Sequence, residues 1–309
     1  MCCLAGLFWL AATLQYELSG QILPESHASV SLYGATTPFA DHTLTDSRGR
    51  FHFHKLQPGA YTVSVLVPGR GEARRTIEVG PSQADQKGRV TITLQLSDSH
   101  FEGRDALRRG HVVSAKQLAI PDKAVHEYEE AQKRLARRDV SGAIEHLQRA
   151  VELAPEYSAA WNNLGTIAYQ TRKYPQAEEY FRKALASDPE AFEPLVNLGG
   201  VLVTEAKAEE ALPFNLHAVL TRPNDALANS QLGMTYLLLG KTGQAEKYLS
   251  AAKRIDPAHF SHPQLLLAEI HLRRGERAAA ADELEDFLRR HPDAPQAERI
   301  KAQIAKLRR

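Results

Sequence analysis

Cysteine is almost missing from this 309-residue chain, and the two present, Cys2 and Cys3, lie within the first three positions. Everything after them is therefore without a disulfide framework or a thiolate metal site, whatever the redox compartment. An excess of charge is missing too. Lys and Arg number 38 against 37 Asp and Glu, so no chain-wide field draws the protein to nucleic acid or to an anionic membrane. Long hydrophobic runs are also lacking. The best, Cys2 to Leu14, is interrupted only by Gly6 and Thr13 and falls short of the ~20 residues that span a bilayer. There is no His-Glu-x-x-His, no Gly-x-Ser-x-Gly and no nucleophile–base spacing to suggest an enzyme.

The apolar run has the length of a secretory hydrophobic region, with Leu10-Ala11-Ala12 as its best cleavage site. It lacks a basic start, and no Leu-Ala-Gly-like run precedes either cysteine as in a lipoprotein. Residues 1–15 read as a signal-peptide remnant, which makes the protein exported and extracytoplasmic. The alternative is an apolar first strand.

What the chain does have is a period. Pro155, Pro189, Pro223, Pro257 and Pro292 recur at intervals of 34, 34, 34 and 35 residues. Between two of them stand Trp161, Leu164-Gly165, Tyr169, Ala177, Phe181 and Ala184. Such a period and filling predict helix-turn-helix units stacked in a solenoid. Small residues at Ala131, Gly165, Gly199, Gly233 and Ala268 let each first helix approach its second. Ala143, Ala177, Ala211, Ala245 and Ala280 do the same from the second helix. Leu147, Phe181, Leu249 and Leu284 fill the next interface, and Asn215 breaks the series in the third unit. Each closing proline stops its helix by lacking an N–H and constraining the residue before it.

These residues resemble the tetratricopeptide-repeat family over residues 122–294. The resemblance implies five repeats (about 124–157, 158–191, 192–225, 226–260 and 261–294) in a right-handed α-solenoid. Residues 295–309 read as an amphipathic helix capping the open end of the stack.

Ahead of the repeats the period falls to two: Val30 and Leu32, Phe51 and Phe53, then Tyr61, Val63, Val65 and Val67, then Val90, Ile92 and Leu94. Turns at Asp46-Ser-Arg-Gly49, Gln57-Pro-Gly59, Pro68-Gly69 and Gly80-Pro81 divide these runs into about seven strands, an antiparallel β-sandwich over 16–97. The runs Thr45-Asp-Ser-Arg-Gly-Arg-Phe-His-Phe53, Leu56-Gln-Pro-Gly-Ala-Tyr61 and Pro68-Gly69 resemble the carboxypeptidase regulatory-like domain. That family is a transthyretin-like sandwich without catalytic activity. The fold class is therefore two-domain, all-β then all-α. A polar, basic linker over 98–121, with Leu118 and Ile120 as an apolar strap, predicts that the two domains fold independently.

Three constellations invite chemistry. Gly240-Lys241-Thr242 has Thr235 where a phosphate loop needs glycine, and it falls in a helix turn. Phe51-His52-Phe53-His54 turns both rings to one strand face and both imidazoles to the other; Asp41 could join them on a metal, but two obvious ligands leave water-facing histidines as the simpler reading. No cofactor or metal is expected. The third is the solenoid groove, which the family resemblance lines with the first helices and fills with an extended peptide or partner helix. Asn163, Asn197 and Gln231 occupy equivalent places in successive repeats, and a side-chain amide can bridge a peptide's C=O and N–H. Asn162, Thr166, Tyr169, Val196, Val203, Ser230, Met234 and Leu237 should neighbour them, with the amides facing water when the groove is empty. Trp-Asn-Asn-Leu-Gly is also common repeat filling. The expected function is a non-enzymatic protein-binding scaffold. The alternative is a carbohydrate-binding sandwich tethered by the solenoid, for which the sandwich has few spare flat rings, chiefly Tyr33 and Phe39.

Overall fold

The computed structural model describes residues 15–97, 101 and 120–309. The signal-like run and the strap residue Leu118 lie outside the described residues. Seven strands come first: β1 (Tyr16–Leu23), β2 (Ser29–Gly34), β3 (Ala40–Leu44), β4 (Arg50–Leu56), β5 (Gly59–Val67), β6 (Gly71–Val79) and β7 (Arg89–Gln95). They form a three-stranded sheet, β4-β1-β7, and a four-stranded sheet, β3-β2-β5-β6. All pairs are antiparallel except β1 with β7. The alternation does what it predicts: Leu18, Val30, Leu32, Phe51, Phe53, Val63 and Val65 are buried between the sheets.

Eleven helices follow among the described residues. Five pairs are α1 (Asp122–Ala136) with α2 (Val140–Leu153), α3 (Ser158–Gln170) with α4 (Tyr174–Ser187), α5 (Phe192–Thr204) with α6 (Ala208–Thr221), α7 (Ala226–Leu238) with α8 (Thr242–Ile255), and α9 (Pro263–Arg273) with α10 (Arg277–Arg290). The last, α11 (Ala297–Leu307), lays Ile300 on the core of the fifth pair. The turn inside every pair is built alike. Arg138, Arg172, Ala206, Gly240 and Gly275 all have left-handed backbone, with φ from 58° to 76°. The next N–H reaches back to a carbonyl of the first helix, as in Asp139 to Arg134 and Lys241 to Tyr236, both within 2.9 Å. This is a helix-ending motif that prefers glycine. It accounts for Gly240 without any phosphate.

Small residues face large ones across each pair. A methyl placed on Gly233 would stand 2.7 Å from Leu249. At Gly199 the facing residue is Asn215, fully buried, whose Nδ2 donates to Thr235 Oγ1 at 2.9 Å while its Oδ1 has no partner among the described residues. Thr235 Oγ1 itself donates to the Gln231 carbonyl. An unpaired buried carbonyl costs about 1–3 kcal/mol. Asn215→Leu, which restores the apolar filling of the other repeats, is therefore expected to raise stability by about 1 kcal/mol after losing the Thr235 bond. Urea unfolding of the two proteins measures it, and a lower midpoint in the variant would contradict the reading.

Candidate functional site

The first helices of successive pairs are tied side by side. Asn163 Nδ2 donates to the Tyr128 hydroxyl at 3.2 Å, and Asn197 Nδ2 to Asn162 Oδ1 at 2.9 Å. Tyr169 and Thr204 share a hydrogen bond of 3.0 Å. Gln231 lies over Gly200, its Nε2 only 2.5 Å from where a methyl on that glycine would stand. The amide row is thus present, but it is turned along the solenoid. Asn163 and Asn197 spend a donor on their neighbours instead of facing water, because helices one repeat apart bring these side chains within hydrogen-bond reach.

The other expected groove residues divide. Asn162 and Met234 are half-buried; Thr166 is half-buried too, with its hydroxyl on the Asn162 carbonyl. Tyr169 stacks its ring obliquely on Tyr174. Val196, Val203, Ser230 and Leu237 are buried, so they are not offered to a ligand. The cause is visible in α5, where ten of thirteen residues are buried. A helix apolar nearly all round packs on both of its neighbours. In the same row Thr204 and Leu238 are exposed, although neither breaks the sequence pattern. Beyond them a cleft of about 290 Å³ opens between α9, α10 and α11, lined by Leu265, Ala268, Leu272, Leu284 and Ile300 among others.

The solenoid surface is not bare: the outer face and edge of the four-stranded sheet lie against it. Ala40 packs with Ala131 and Leu135, Gln170 Nε2 donates to the Gly34 carbonyl at 2.9 Å, and Arg138 donates to the Tyr61 hydroxyl. Strand β6 then runs along the later repeats. Arg74 bonds Glu193 at 2.9 Å and Glu72 at 2.7 Å, and Arg222 approaches both carboxylates. The Thr76 N–H donates to Asp256 Oδ2 at 2.8 Å, Glu78 meets His291 at 3.0 Å, and Ser82 meets Asp293. Burial alone would raise the Glu72 and Glu193 carboxyls, but Arg74 and Arg222 hold both below the ordinary carboxylate range. Burial likewise opposes the Arg74 charge, yet Glu72, Glu193 and Asp225 together raise its pKa. Independent folding of two separate bodies gave no reason to expect this interface.

It also bears on the sugar-binding alternative. Phe39 is buried, edge-on to Tyr61 and beneath the Arg138 guanidinium, so it offers no flat platform. Tyr33 stays half-exposed beside Tyr128.

Where β6 meets the last repeats, three histidines gather. His262 Nδ1 lies 3.4 Å from His291 Nε2, and His259 is bonded to Ser261. Burial, then His291 and His259, hold the His262 imidazole down to about 4; burial lowers His259 as well, against the pull of Asp256 and Asp225. The unfolded chain binds a proton at His262 near pH 6.5 and the folded chain only near 4. The stabilisation is therefore complete above 6.5 and is lost as pH falls to about 4, by at most about 3 kcal/mol. The carboxylates of Asp46, Asp85 and Glu178, held at about 2 chiefly by bonds from Arg50, Arg89 and Lys207, lose their contribution mainly below that window, from their ordinary values of 3.8 to 4.5 down to about 2. His262→Asn keeps a residue tolerant of the left-handed backbone there (φ 51°) and should flatten the acid slope of urea stability. An unchanged slope would remove His262 from the account.

The sequence matches the carboxypeptidase regulatory-like domain over residues 16–95, and the tetratricopeptide repeat over 128–192, 226–259 and 265–308. The chain is a tetratricopeptide-repeat protein with an N-terminal carboxypeptidase regulatory-like domain. Residues 193–225, between the matched spans, hold the repeat with Asn215 and a proline, Pro213, inside its helix. Among curated proteins it is similar to the type IV pilus assembly protein PilF of Pseudomonas aeruginosa, 32% identical over 40% of this chain and 49% of that protein. It is also similar to human tetratricopeptide repeat protein 6, 28% identical over 36% of this chain and 20% of that one. The chain spans between about a fifth and a half of the curated relatives it matches. Solved structures similar in fold include P. aeruginosa PilF (TM-score 0.52, 23% identity, 63% of this chain and 86% of that one). Another is PilW, titled a widely conserved type IV pilus biogenesis factor (TM-score 0.54, 22% identity, 60% and 85%).

Proposed function

We propose that the protein is a non-enzymatic, exported scaffold that holds an extended peptide or helix of another protein along the first helices of its later repeats. The observation that carries this is the row Asn197, Gln231, Met234 and Leu238. It joins amides to apolar side chains on a surface beyond the sandwich contacts at Tyr128 and Gln170. Gln231 hydrogen-bonds no side chain among the described residues, so its amide is available to a peptide backbone. Asn197 keeps its carbonyl oxygen in the same way. Similarity to a type IV pilus assembly protein supports an assembly role, and the sandwich, a type of domain attached to many extracytoplasmic proteins, supports export.

Peptides selected from a random display library on the full-length protein test the reading. Asn197→Ala with Gln231→Ala is expected to weaken the selected peptides about tenfold or more, since each lost bond is worth ~0.5–1.5 kcal/mol. Leu220→Ala, on an exposed residue of α6, is the control and should leave them bound. Equal binding by the double variant would move recognition off this row.

A further inference from the structure

The outer face of the three-stranded sheet, on the side away from the solenoid contacts, carries a cluster that the scaffold does not use. Glu17 and Ser19 alternate outward on β1, and His52 and His54 on the neighbouring β4. Ser19 pairs with His52 and Leu18 with Phe53, but Tyr16 already pairs with Leu56. Two residues, His54 and Lys55, therefore face Glu17 alone, and Lys55 takes up the extra residue with a left-handed backbone, φ 56°. Bulges of this kind re-aim side chains. Here His54 Nδ1 comes to 3.3 Å from Glu17 Oε1, and the two imidazole rings stand 4.7 Å apart. Asp41, the third ligand suggested by sequence, belongs to β3 of the other sheet and takes no part.

From this we propose that Glu17, His52 and His54 form a binding site for a divalent transition metal of the zinc class. One donor atom from each lies within 4.8 Å of the others. Metal–ligand bonds of about 2.0–2.2 Å bring neighbouring donors closer than that, which exposed side chains reach by rotating at χ. Two imidazoles and one carboxylate favour zinc, nickel or copper over magnesium or calcium, which take oxygen. Ser19 Oγ, 3.0 Å from His52 Nδ1, orients that ring and leaves Nε2 to the ion, the usual outer-shell arrangement of a metal-bound histidine. Both backbones belong to one paired sheet over a packed core, so the donor set is held by the fold. The remaining coordination positions face solvent, where water completes the shell.

Zinc titration of the full-length, metal-stripped protein against a chromophoric chelator near neutral pH tests the site. The wild type is expected to take up one zinc that His52→Ala with His54→Ala does not. Glu17→Gln should weaken that zinc by more than about tenfold, since losing even an outer-shell partner of a metal ligand costs about 10–100-fold. Because eleven other histidines remain in the double variant, the difference between the two proteins is the readout. NMR of the imidazole carbon-bound protons gives a second: zinc should shift His52 and His54 before any other ring. The site is overturned if the double variant keeps the wild-type stoichiometry and affinity, if the wild type takes up no zinc at submillimolar metal, or if other histidines respond first.

Discussion

Gly165→Leu is expected to lower stability by about 3 kcal/mol or more, which for a body of this size means a Tm lower by roughly 6–12 °C. A methyl on Gly165 would stand 2.5 Å from Phe181 Cε1 and 2.6 Å from Cδ1. Phe181 cannot retreat: it is 1% exposed and packs with Leu198, Val201 and Leu202 of the next repeat. A leucine must therefore spread α3 from α4, and because repeats are stable only against their neighbours the damage should pass into α5 and α6. Thermal unfolding followed by circular dichroism at a helical wavelength reads the effect. Adding Phe181→Ala, which vacates the same space, should recover part of the loss. A Tm equal to the wild type's would mean that the glycine is not held where the geometry puts it.

Arg74→Ala should cost the contact between sandwich and solenoid. The guanidinium sits between Glu72 of its own strand and Glu193 of α5, and its removal leaves Arg222 to face two carboxylates that share one partly buried site. Breaking a fully buried pair by deleting one partner costs about 3–5 kcal/mol. The Arg74 side chain keeps 31% of its exposure, so solvent screening reduces the expectation to about 2 kcal/mol. The smaller figure is enough to loosen a docked domain. Hydrogen exchange should speed up at Thr76, whose N–H donates to Asp256 across the same interface, while amides inside β5 and β2 stay protected. Small-angle scattering should show a larger radius of gyration. Should exchange at Thr76 and the radius both stay at wild-type values, the docking rests on other contacts, chiefly Glu78 with His291 and Ser82 with Asp293.

Much of this molecule is local and periodic, and that part was legible in the sequence. The recurring prolines, the small residues opposite Phe181 and Leu249, and the β alternation through Phe51 and Phe53 each act within about one repeat or one hairpin. Chain-neighbour chemistry is enough to determine them. Glycine marked two of the five left-handed turns, Gly240 and Gly275; Arg138, Arg172 and Ala206 adopt the same backbone because the helix pairs on either side impose it. The amide row was legible as a row. Its direction was not, since whether Asn197 faces water or Asn162 depends on the packing of two helices 35 residues apart. The third member of the histidine cluster was hidden likewise, because Glu17 reaches His54 only through the pairing of β1 with β4, 37 residues on. The docking of the sandwich lay furthest from the sequence. Arg74 and Glu193 are 119 residues apart, Thr76 and Asp256 180, and Glu78 and His291 213. No pattern of period two or thirty-four carries such pairs. They exist because one sheet face and one row of helix ends present complementary charges and unpaired backbone donors at the same spacing, a match that only the folded chain can make.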